Sequence, residues 1–381
     1  MKKLIAFSVV FALLVGAAFA EANIGGALQW TTVLLSGDNT EKNDGDTKVS
    51  VGPTQVADHN HHINVSFGDA IAGGMFRIYS ARNDSLPSHF DVFSFMYWKP
   101  IDYFRIQMGH NPDGDWGAAQ IVGWGFIGEA MNSGAINDYS NNSSKATNNR
   151  SNAFYGGMES RGVNLSFYPL EFLTLNFGFP IGGKDGEEVL RLDQQLADFQ
   201  VNAVIKIPDI GDARLSFVGD QGLVKDDDSH PGDIYISFYL TAVEALKAEV
   251  GFKIGLPGKD GDPYFNAGLG VTFGADAFAV KFRGGIGFGK DQELGVSLGL
   301  LPSFDLGMLK AFVYAGLGMT KAAGDNAKVE TDYFINPYVQ VPAGGLRLYA
   351  GLKLEQKGIT EDFEKKGSFK WAFQFGFQSY F

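Results

Sequence analysis

The sequence predicts an all-β chain that closes into a transmembrane antiparallel β-barrel of about eighteen strands. Apolar and polar residues alternate with a period of two through most of the chain, which is the periodicity of a β-strand. Aromatic residues reach 14%, and Gly accounts for 50 of 381 residues, about twice its usual share of ~7%. Mean hydropathy is −0.05. Such an average is expected of a barrel, because one face of each strand meets lipid and the other meets water.

The last fourteen residues, 368–381, alternate most regularly, with Lys370, Ala372, Gln374 and Gln378 on one face. The other face is aromatic and consists of Phe369, Trp371, Phe373, Phe375, Phe377 and Phe381. This segment resembles the last strand of Gram-negative outer-membrane β-barrel proteins, which ends in Phe after apolar residues at every second position. Ser379 departs from that pattern. The resemblance implies that the barrel assembly machinery reads this strand and that the chain is porin-like.

The N-terminal segment has the features of a secretory signal peptide. Lys2 and Lys3 are followed by an apolar run and by a small-x-small cleavage site that ends at Ala20. We therefore expect residues 1–20 to be removed and residues 21–381 to form a single barrel. The chain has no Cys, which excludes disulfides and a lipid anchor on a cysteine.

Strands are counted from repeated hairpins, in which two alternating segments flank a short turn. Turns are predicted at Asp69–Ala70, Pro100, Pro169, Pro208, Ala242, Ala275, Pro302 and Pro342. These hairpins, a first strand at 22–36 and the terminal strand give eighteen strands, with sixteen as the lower alternative. Longer polar connections fall at 37–60, 82–90, 111–160, 182–197, 219–232, 257–263, 289–293, 321–331 and 358–367. Short periplasmic turns and long outer loops are typical of outer-membrane barrels.

Strand phase assigns a basic lumen wall. The inward positions include the predicted pore-lining residues Arg77, Arg105, Lys206, Arg214, Lys247, Lys281, Arg283, Lys310, Arg347 and Lys353. Glu249 and Glu355 are the clearest inward acids. The formal net charge is nevertheless −12, with much of the acid in the outer loops. An acidic protein is a poor nucleic-acid binder, whereas a cationic pore wall favours anions.

The connection 111–160 is the longest and the third on the outer side. In general porins the third loop folds into the barrel, and the resemblance implies a constriction loop here. Its apolar half would be costly in water, and its acids would face the basic wall. The predicted constriction residues are Asp113, Asp115, Trp116, Trp124 and Glu129. Alternatively, the segment caps the barrel from outside or packs on a neighbouring subunit.

Two further groups of residues are interpreted structurally. Trp30, Trp98, Trp371, Tyr97, Tyr168 and Tyr239 are predicted to form the aromatic girdles at the bilayer interfaces. The inward aromatics, such as Tyr79, Tyr235, Tyr239 and Tyr349, look scattered in the sequence. His59, His61 and His62 are weak candidates for a metal site, and polar loop residues are the better interpretation, so no metal or other cofactor is predicted.

These observations favour a porin in the outer membrane of a diderm bacterium. It would be a passive channel for small hydrophilic solutes and ions, and no enzymatic motif argues for catalysis. Lipid and the assembly machinery are the implied partners, and the resemblance implies a homotrimer. Two alternatives remain at this point: a transporter of hydrophobic compounds, of the fatty-acid type, and a surface structural protein or adhesin built on a barrel platform.

Overall fold

A computed structural model gives the architecture of the chain. It describes residues 22–39, 48–80, 90–110, 161–180, 199–219, 232–257, 262–275, 277–289, 292–322, 324, 328–360 and 368–381. All strands belong to one closed antiparallel sheet of 18 strands. The prediction of an all-β barrel of about eighteen strands is confirmed. Within the described residues no helix is long and apolar enough to cross a membrane.

The eighteen strands follow one another around the barrel in chain order. They are β1 Ala22–Asn39, β2 Lys48–Gly68, β3 Ala72–Ser80, β4 Phe90–Ile101, β5 Phe104–His110, β6 Arg161–Leu170, β7 Leu173–Pro180, β8 Gln200–Ile207, β9 Gly211–Gly219, β10 Gly232–Val243, β11 Leu246–Leu256, β12 Tyr264–Ala275, β13 Phe278–Gly289, β14 Gln292–Asp305, β15 Lys310–Ala322, β16 Val329–Ala343, β17 Leu346–Thr360 and β18 Ser368–Tyr380.

The sheet closes because β1 pairs with both β2 and β18. The seam with β18 runs from the pair Ala27 and Tyr380 to the pair Asn39 and Phe369. At its end the Gly26 N–H donates to the Phe381 carbonyl at 2.8 Å, and the Phe381 N–H donates back to the Gly26 carbonyl at 3.2 Å. Closure leaves no unpaired edge in a medium that offers no hydrogen bonds.

Short turns lie at one end of the barrel, and the connections at the other end are longer, except for the two residues between β13 and β14. The eight turns at the first end contain two to four residues, whereas the connection between β5 and β6 contains fifty. This asymmetry agrees with the predicted short turns and long loops. The predicted connection 37–60 was too long, because β1 continues to Asn39 and β2 begins at Lys48. Backbone pairing between these two long strands outweighs their loop-like composition.

Proline did not mark the turns as accurately as predicted. Four of the predicted turn prolines lie inside strands. Pro100, Pro169 and Pro342 are each one residue before the end of β4, β6 and β16, and Pro302 is three residues before the end of β14. The ladder between β14 and β15 is interrupted at Leu301 and Pro302. Proline has no N–H to donate, so it occupies a strand position where one neighbour is not hydrogen-bonded.

The turn between β2 and β3 is stabilised by a side chain. Asp69 Oδ1 accepts the backbone N–H of Ile71 at 2.7 Å and that of Ala72 at 3.0 Å. This is the usual role of Asp in a turn. These hydrogen bonds hold the pKa of the Asp69 carboxyl below its usual value, and the bond from Ala72 has the larger effect.

Candidate functional site

The two faces of the barrel wall differ in chemistry, and β18 illustrates the difference. Phe373, Phe375 and Phe377 are 37–40% exposed, whereas Gln374 and Gln378 on the opposite face are at most 1% exposed. In a closed barrel the exposed apolar set faces lipid and the buried polar set faces inward. The same alternation of exposed apolar and buried inward residues recurs in β10, β11 and β16.

The structure places all ten predicted pore-lining cations at inward positions of this alternation. Arg283 and Lys353 lie near mid-height, and Arg214 lies three residues from the short-turn end of β9; all three are buried. Lys206, Lys247, Lys310 and Arg347 lie close to the short turns and are exposed, whereas Arg77, Arg105 and Lys281 are half-buried.

One of these cations, Arg214, and a further inward cation, Lys253, are paired with acids that sequence reasoning missed. Arg214 Nε lies 2.7 Å from Asp212 Oδ1, and Lys253 Nζ lies 2.7 Å from Asp233 Oδ2. Asp332 is a third inward acid and accepts the N–H of Gly358 at 2.7 Å. Asp212 shares the face of Arg214 two positions away, so the alternation itself could have revealed it. The wall of described strands is therefore more balanced in charge than predicted.

Two further ion pairs involve predicted residues. Lys353 Nζ is 3.7 Å from Glu355 Oε2 in a buried setting, and Lys310 Nζ is 3.0 Å from Asp305 Oδ2 in an exposed one. Exposed pairs of this kind contribute about 0–1 kcal/mol, so the cation of Lys310 remains available to solvent and solutes.

Uncharged side chains line part of the inner face of β6 to β9. Asn176 Nδ2 donates to Asn202 Oδ1 at 3.0 Å, and Asn202 Nδ2 donates to Ser216 Oγ at 2.7 Å. All three side chains are at most 1% exposed. This network crosses three strands and fixes the orientation of the amides on that side of the wall.

Aromatic residues group on the inner face of β15 to β17, contrary to the expectation that inward aromatics are scattered. Phe312 and Tyr338 stack with ring centroids 4.9 Å apart, and Tyr314 meets Phe334 edge-on at 4.7 Å. Lys353 Nζ lies 5.4 Å from the Phe334 centroid. The rings are buried, except for Phe312, so they form part of the packed wall instead of offering open faces to sugars.

A cavity opens on the inner face at the short-turn end. Its volume is about 330 Å³, and it is lined by Asp69, Ala70, Tyr97, Lys99, Arg105 and Tyr168. Arg105 Nη2 donates to Gln107 Oε1 at 2.5 Å, and its guanidinium lies 5.7 Å from the Tyr97 centroid. These contacts fix the position of the guanidinium beside the cavity.

The girdle prediction was wrong for Tyr97, Tyr168 and Tyr239. The first two line this cavity, and Tyr239 shares the inward face of Ser237 and Tyr235. Each of these side chains is at a strand position that the alternation assigns to the inner face. Trp98 fits the girdle, because it is 54% exposed on the outer face.

Some predicted sites lie outside the described residues. The constriction residues Asp113, Asp115, Trp116, Trp124 and Glu129 fall within 111–160, and the side chains of His59 and His61 are likewise not described. The predicted signal peptide, residues 1–20, also lies outside the described residues. Among the described residues no group of His, Cys, Asp or Glu could hold a metal ion.

Comparisons with known proteins agree on the fold. No protein-family model matches the chain, and no curated protein matches it. Solved structures do match. OccK3 (OpdO) of Pseudomonas aeruginosa aligns with a TM-score of 0.55 at 10% identity, over 97% of this chain and 99% of that one. OpdK of the same organism, solved with vanillate, aligns with a TM-score of 0.54 at 11% identity, over 95% of this chain and 99% of that one.

The outer-membrane channel DcaP of Acinetobacter baumannii gives a TM-score of 0.54 at 8% identity, over 96% of this chain and 98% of that one. At such low identity the likeness concerns the fold alone. The chain therefore has a porin-like architecture, that of an outer-membrane β-barrel.

Proposed function

We propose that the protein is a porin, a passive diffusion channel for small hydrophilic solutes and ions in the outer membrane of a diderm bacterium. The observation that supports it is the closed barrel with an apolar outer face and a polar, charged inner face. A polar inner face inside a hydrophobic wall is suited to carrying water-soluble molecules across a bilayer. No covalent chemistry is needed, and a non-enzymatic role follows.

The proposal includes the partners that a channel of this architecture needs. The outer face contacts lipid, the terminal strand β18 is read by the barrel assembly machinery, and the oligomer is a homotrimer. Arg283 and Lys353 are proposed as the mid-height pore-lining cations, and Arg214 as a pore-lining cation closer to the short turns. Residues 111–160 are proposed as the constriction loop.

One observation favours a second candidate, a surface platform or a channel that is closed at rest. The inward side chains of Asn164, Asn176, Asn202 and Asn336 are 0% exposed, so the wall at mid-height offers little surface to solvent. The hydrophobic-compound transporter is less favoured, because the buried inner face is predominantly amide, hydroxyl and charged.

Single-channel conductance of the refolded protein in planar bilayers tests the proposal. Discrete ohmic steps are expected, and in a salt gradient Arg283→Glu should shift the reversal potential toward cations. A folded, heat-modifiable barrel that conducts nothing would contradict the channel and support the platform.

A further inference from the structure

Seven exposed or half-buried, inward-facing cations of the described strands encircle the short-turn mouth of the barrel. They come from β4, β5, β8, β11, β13, β15 and β17 and are Lys99, Arg105, Lys206, Lys247, Lys281, Lys310 and Arg347. Each lies within four residues of the short-turn end of its strand, which is about 13 Å at the usual strand rise of about 3.3 Å per residue. We call this group the cation collar.

The collar is accessible to water, unlike the cations at mid-height. Lys206, Lys247, Lys310 and Arg347 are exposed and the other three are half-buried, whereas Arg283 and Lys353 are 3% exposed. Accessible cations can bind a solute without first losing a packed environment. The mid-height cations are built into the wall.

Charge is distributed unevenly along the barrel axis. The collar's seven cations share their level with one buried cation, Arg214, and with four acids, Asp69, Asp212, Asp305 and the buried Glu249. Within four residues of the opposite strand ends, the inward side chains that the structure describes are three cations, Arg77, Lys253 and Lys370, and three acids, Asp233, Glu330 and Asp332. Among the described side chains, the excess of positive charge lies at the short-turn mouth.

The turns beyond the collar carry acids of their own. Asp102, Glu171, Asp209 and Glu244 are all exposed at these turns. Asp102 forms an exposed ion pair with Lys99, whose Nζ lies 3.3 Å from Asp102 Oδ1. The other three acids stand in open water, where charges are screened within about 8–10 Å. The collar lies inside the mouth, where low-dielectric walls focus the field of like charges. An anion that reaches the mouth therefore meets cations on all sides.

The cavity beside β4 and β5 provides a defined position within the collar. It brings Lys99 and Arg105 together with the rings of Tyr97 and Tyr168, and its volume of about 330 Å³ is within the range of about 300–1,000 Å³ for small-molecule sites. Arg105 is held in place by Gln107 and Tyr97. A positioned guanidinium binds carboxylate or phosphate groups through paired hydrogen bonds.

From these observations we propose that the cation collar binds small multivalent oxyanions, such as tricarboxylates or phosphates, at the short-turn mouth. The inference rests on the proposed channel function, which it extends by naming a ligand class and a location. It predicts one-sided behaviour. A multivalent anion should block the current when added at the short-turn side and should do so weakly from the other side.

The test uses refolded protein in planar bilayers, with citrate as the multivalent probe and acetate at equal ionic strength as the monovalent control. Orientation is established with Gly345→Cys, because the chain has no other cysteine and Gly345 lies in a short turn with open space around it. An impermeant thiol reagent added to one side then reports which mouth it faces.

The collar variant carries Lys99→Gln, Arg105→Gln, Lys247→Gln and Arg347→Gln, and the matched control carries Arg77→Gln and Lys370→Gln at the opposite mouth. For the wild type, we expect the citrate concentration that blocks half of the current to be at least tenfold lower when citrate is added at the short-turn side than when it is added at the other side. The collar variant should lose at least tenfold in that affinity, and the control variant should keep it. Equal block from both sides, or block unchanged in the collar variant, would overturn the proposal.

If the wild type conducts no current, the channel function fails, and the collar is then tested by calorimetry. Citrate is titrated into the folded barrel in detergent. Binding that the collar variant loses and the control variant retains supports the collar. Absent binding, or equal binding by all three proteins, overturns it.

Discussion

Lys253 and Asp233 form the best-connected ion pair of the inner wall. Besides Lys253 Nζ at 2.7 Å, Asp233 accepts the hydroxyl of Tyr264 at 2.6 Å and that of Tyr235 at 3.1 Å. The Lys253 ammonium lies 5.3 Å from the ring centroid of Tyr235 and 5.1 Å from that of Tyr264. The pair connects β10, β11 and β12 near the long-loop end.

Removing one partner of the Lys253–Asp233 pair should lower the free energy of unfolding more than replacing both partners. For Asp233→Ala we expect a loss of about 2–3 kcal/mol, below the about 3–5 kcal/mol of fully buried pairs because both side chains keep some exposure. The double variant Asp233→Ala with Lys253→Met should lose less than the sum of the single variants. Urea unfolding from lipid vesicles measures each free energy, and strict additivity would contradict the coupling.

The strand phase of β13 can be checked at adjacent positions. Phe282 faces lipid and Lys281 faces inward, so Phe282→Arg should destabilise the barrel. Phe282 lies four residues from the short-turn end of β13, so we expect a cost of about 1–3 kcal/mol, between the about 2–4 kcal/mol of the bilayer midplane and the about 0–1 kcal/mol of the interface. Lys281→Arg is the matched control, because it places the same side chain one residue away on the other face. Vesicle unfolding experiments compare the two, and equal costs would mean that the assigned phase is wrong.

Closure of the seam depends on a small residue at Gly26. A Cβ at this position would lie 2.4 Å from the His62 carbonyl oxygen and 2.7 Å from Phe381 Cζ. Gly26→Val should therefore displace the terminal residue and cost about 1–3 kcal/mol, as overpacking usually does. The heat-modifiable fraction on gels reports closure. Gly345→Ala, with nothing within 4 Å, is the control and should assemble normally.

The Asp69 turn predicts a stability difference that depends on pH. The folded state lowers the pKa of this carboxyl, so ionised Asp69 stabilises the turn above its unfolded pKa of about 3.9. This contribution is lost as the pH falls through the lower, folded pKa. Asp69→Asn should thus be less stable than wild type at pH 7, with a gap that narrows in acid. A gap that stays constant down to pH 2 would contradict this assignment.

The alternation in the sequence predicted the barrel and the inward cations, because a period of two fixes which face each side chain takes. The turns of β16 and β17 and the bounds around 111–160 followed from the same pattern. By contrast, β2 was read as loop over much of its length, since Gly52, Pro53, Asp58 and Asn60 all disfavour strands. Pairing with β1 supplies the hydrogen bonds that local propensity does not.

Features that depend on register between strands could not be predicted. Phe312 stacks on Tyr338 because the two are direct partners across β15 and β16, and no local pattern specifies that pairing. Asp233 lay next to the predicted outer connection 219–232 and was not assigned an inward role. Its role became visible only when β11 and β12 brought Lys253 and Tyr264 beside it.

The seam between β1 and β18 also sets the order of assembly. All other pairings join strands that are consecutive in the chain, whereas the seam joins Ala27 to Tyr380. Contacts between such distant segments form slowly, because a long loop must close first. The last intermediate on the folding route is consequently an open sheet with two unpaired edges, the form most prone to aggregate. Its lifetime in the periplasm, more than the stability of the finished barrel, should limit the yield.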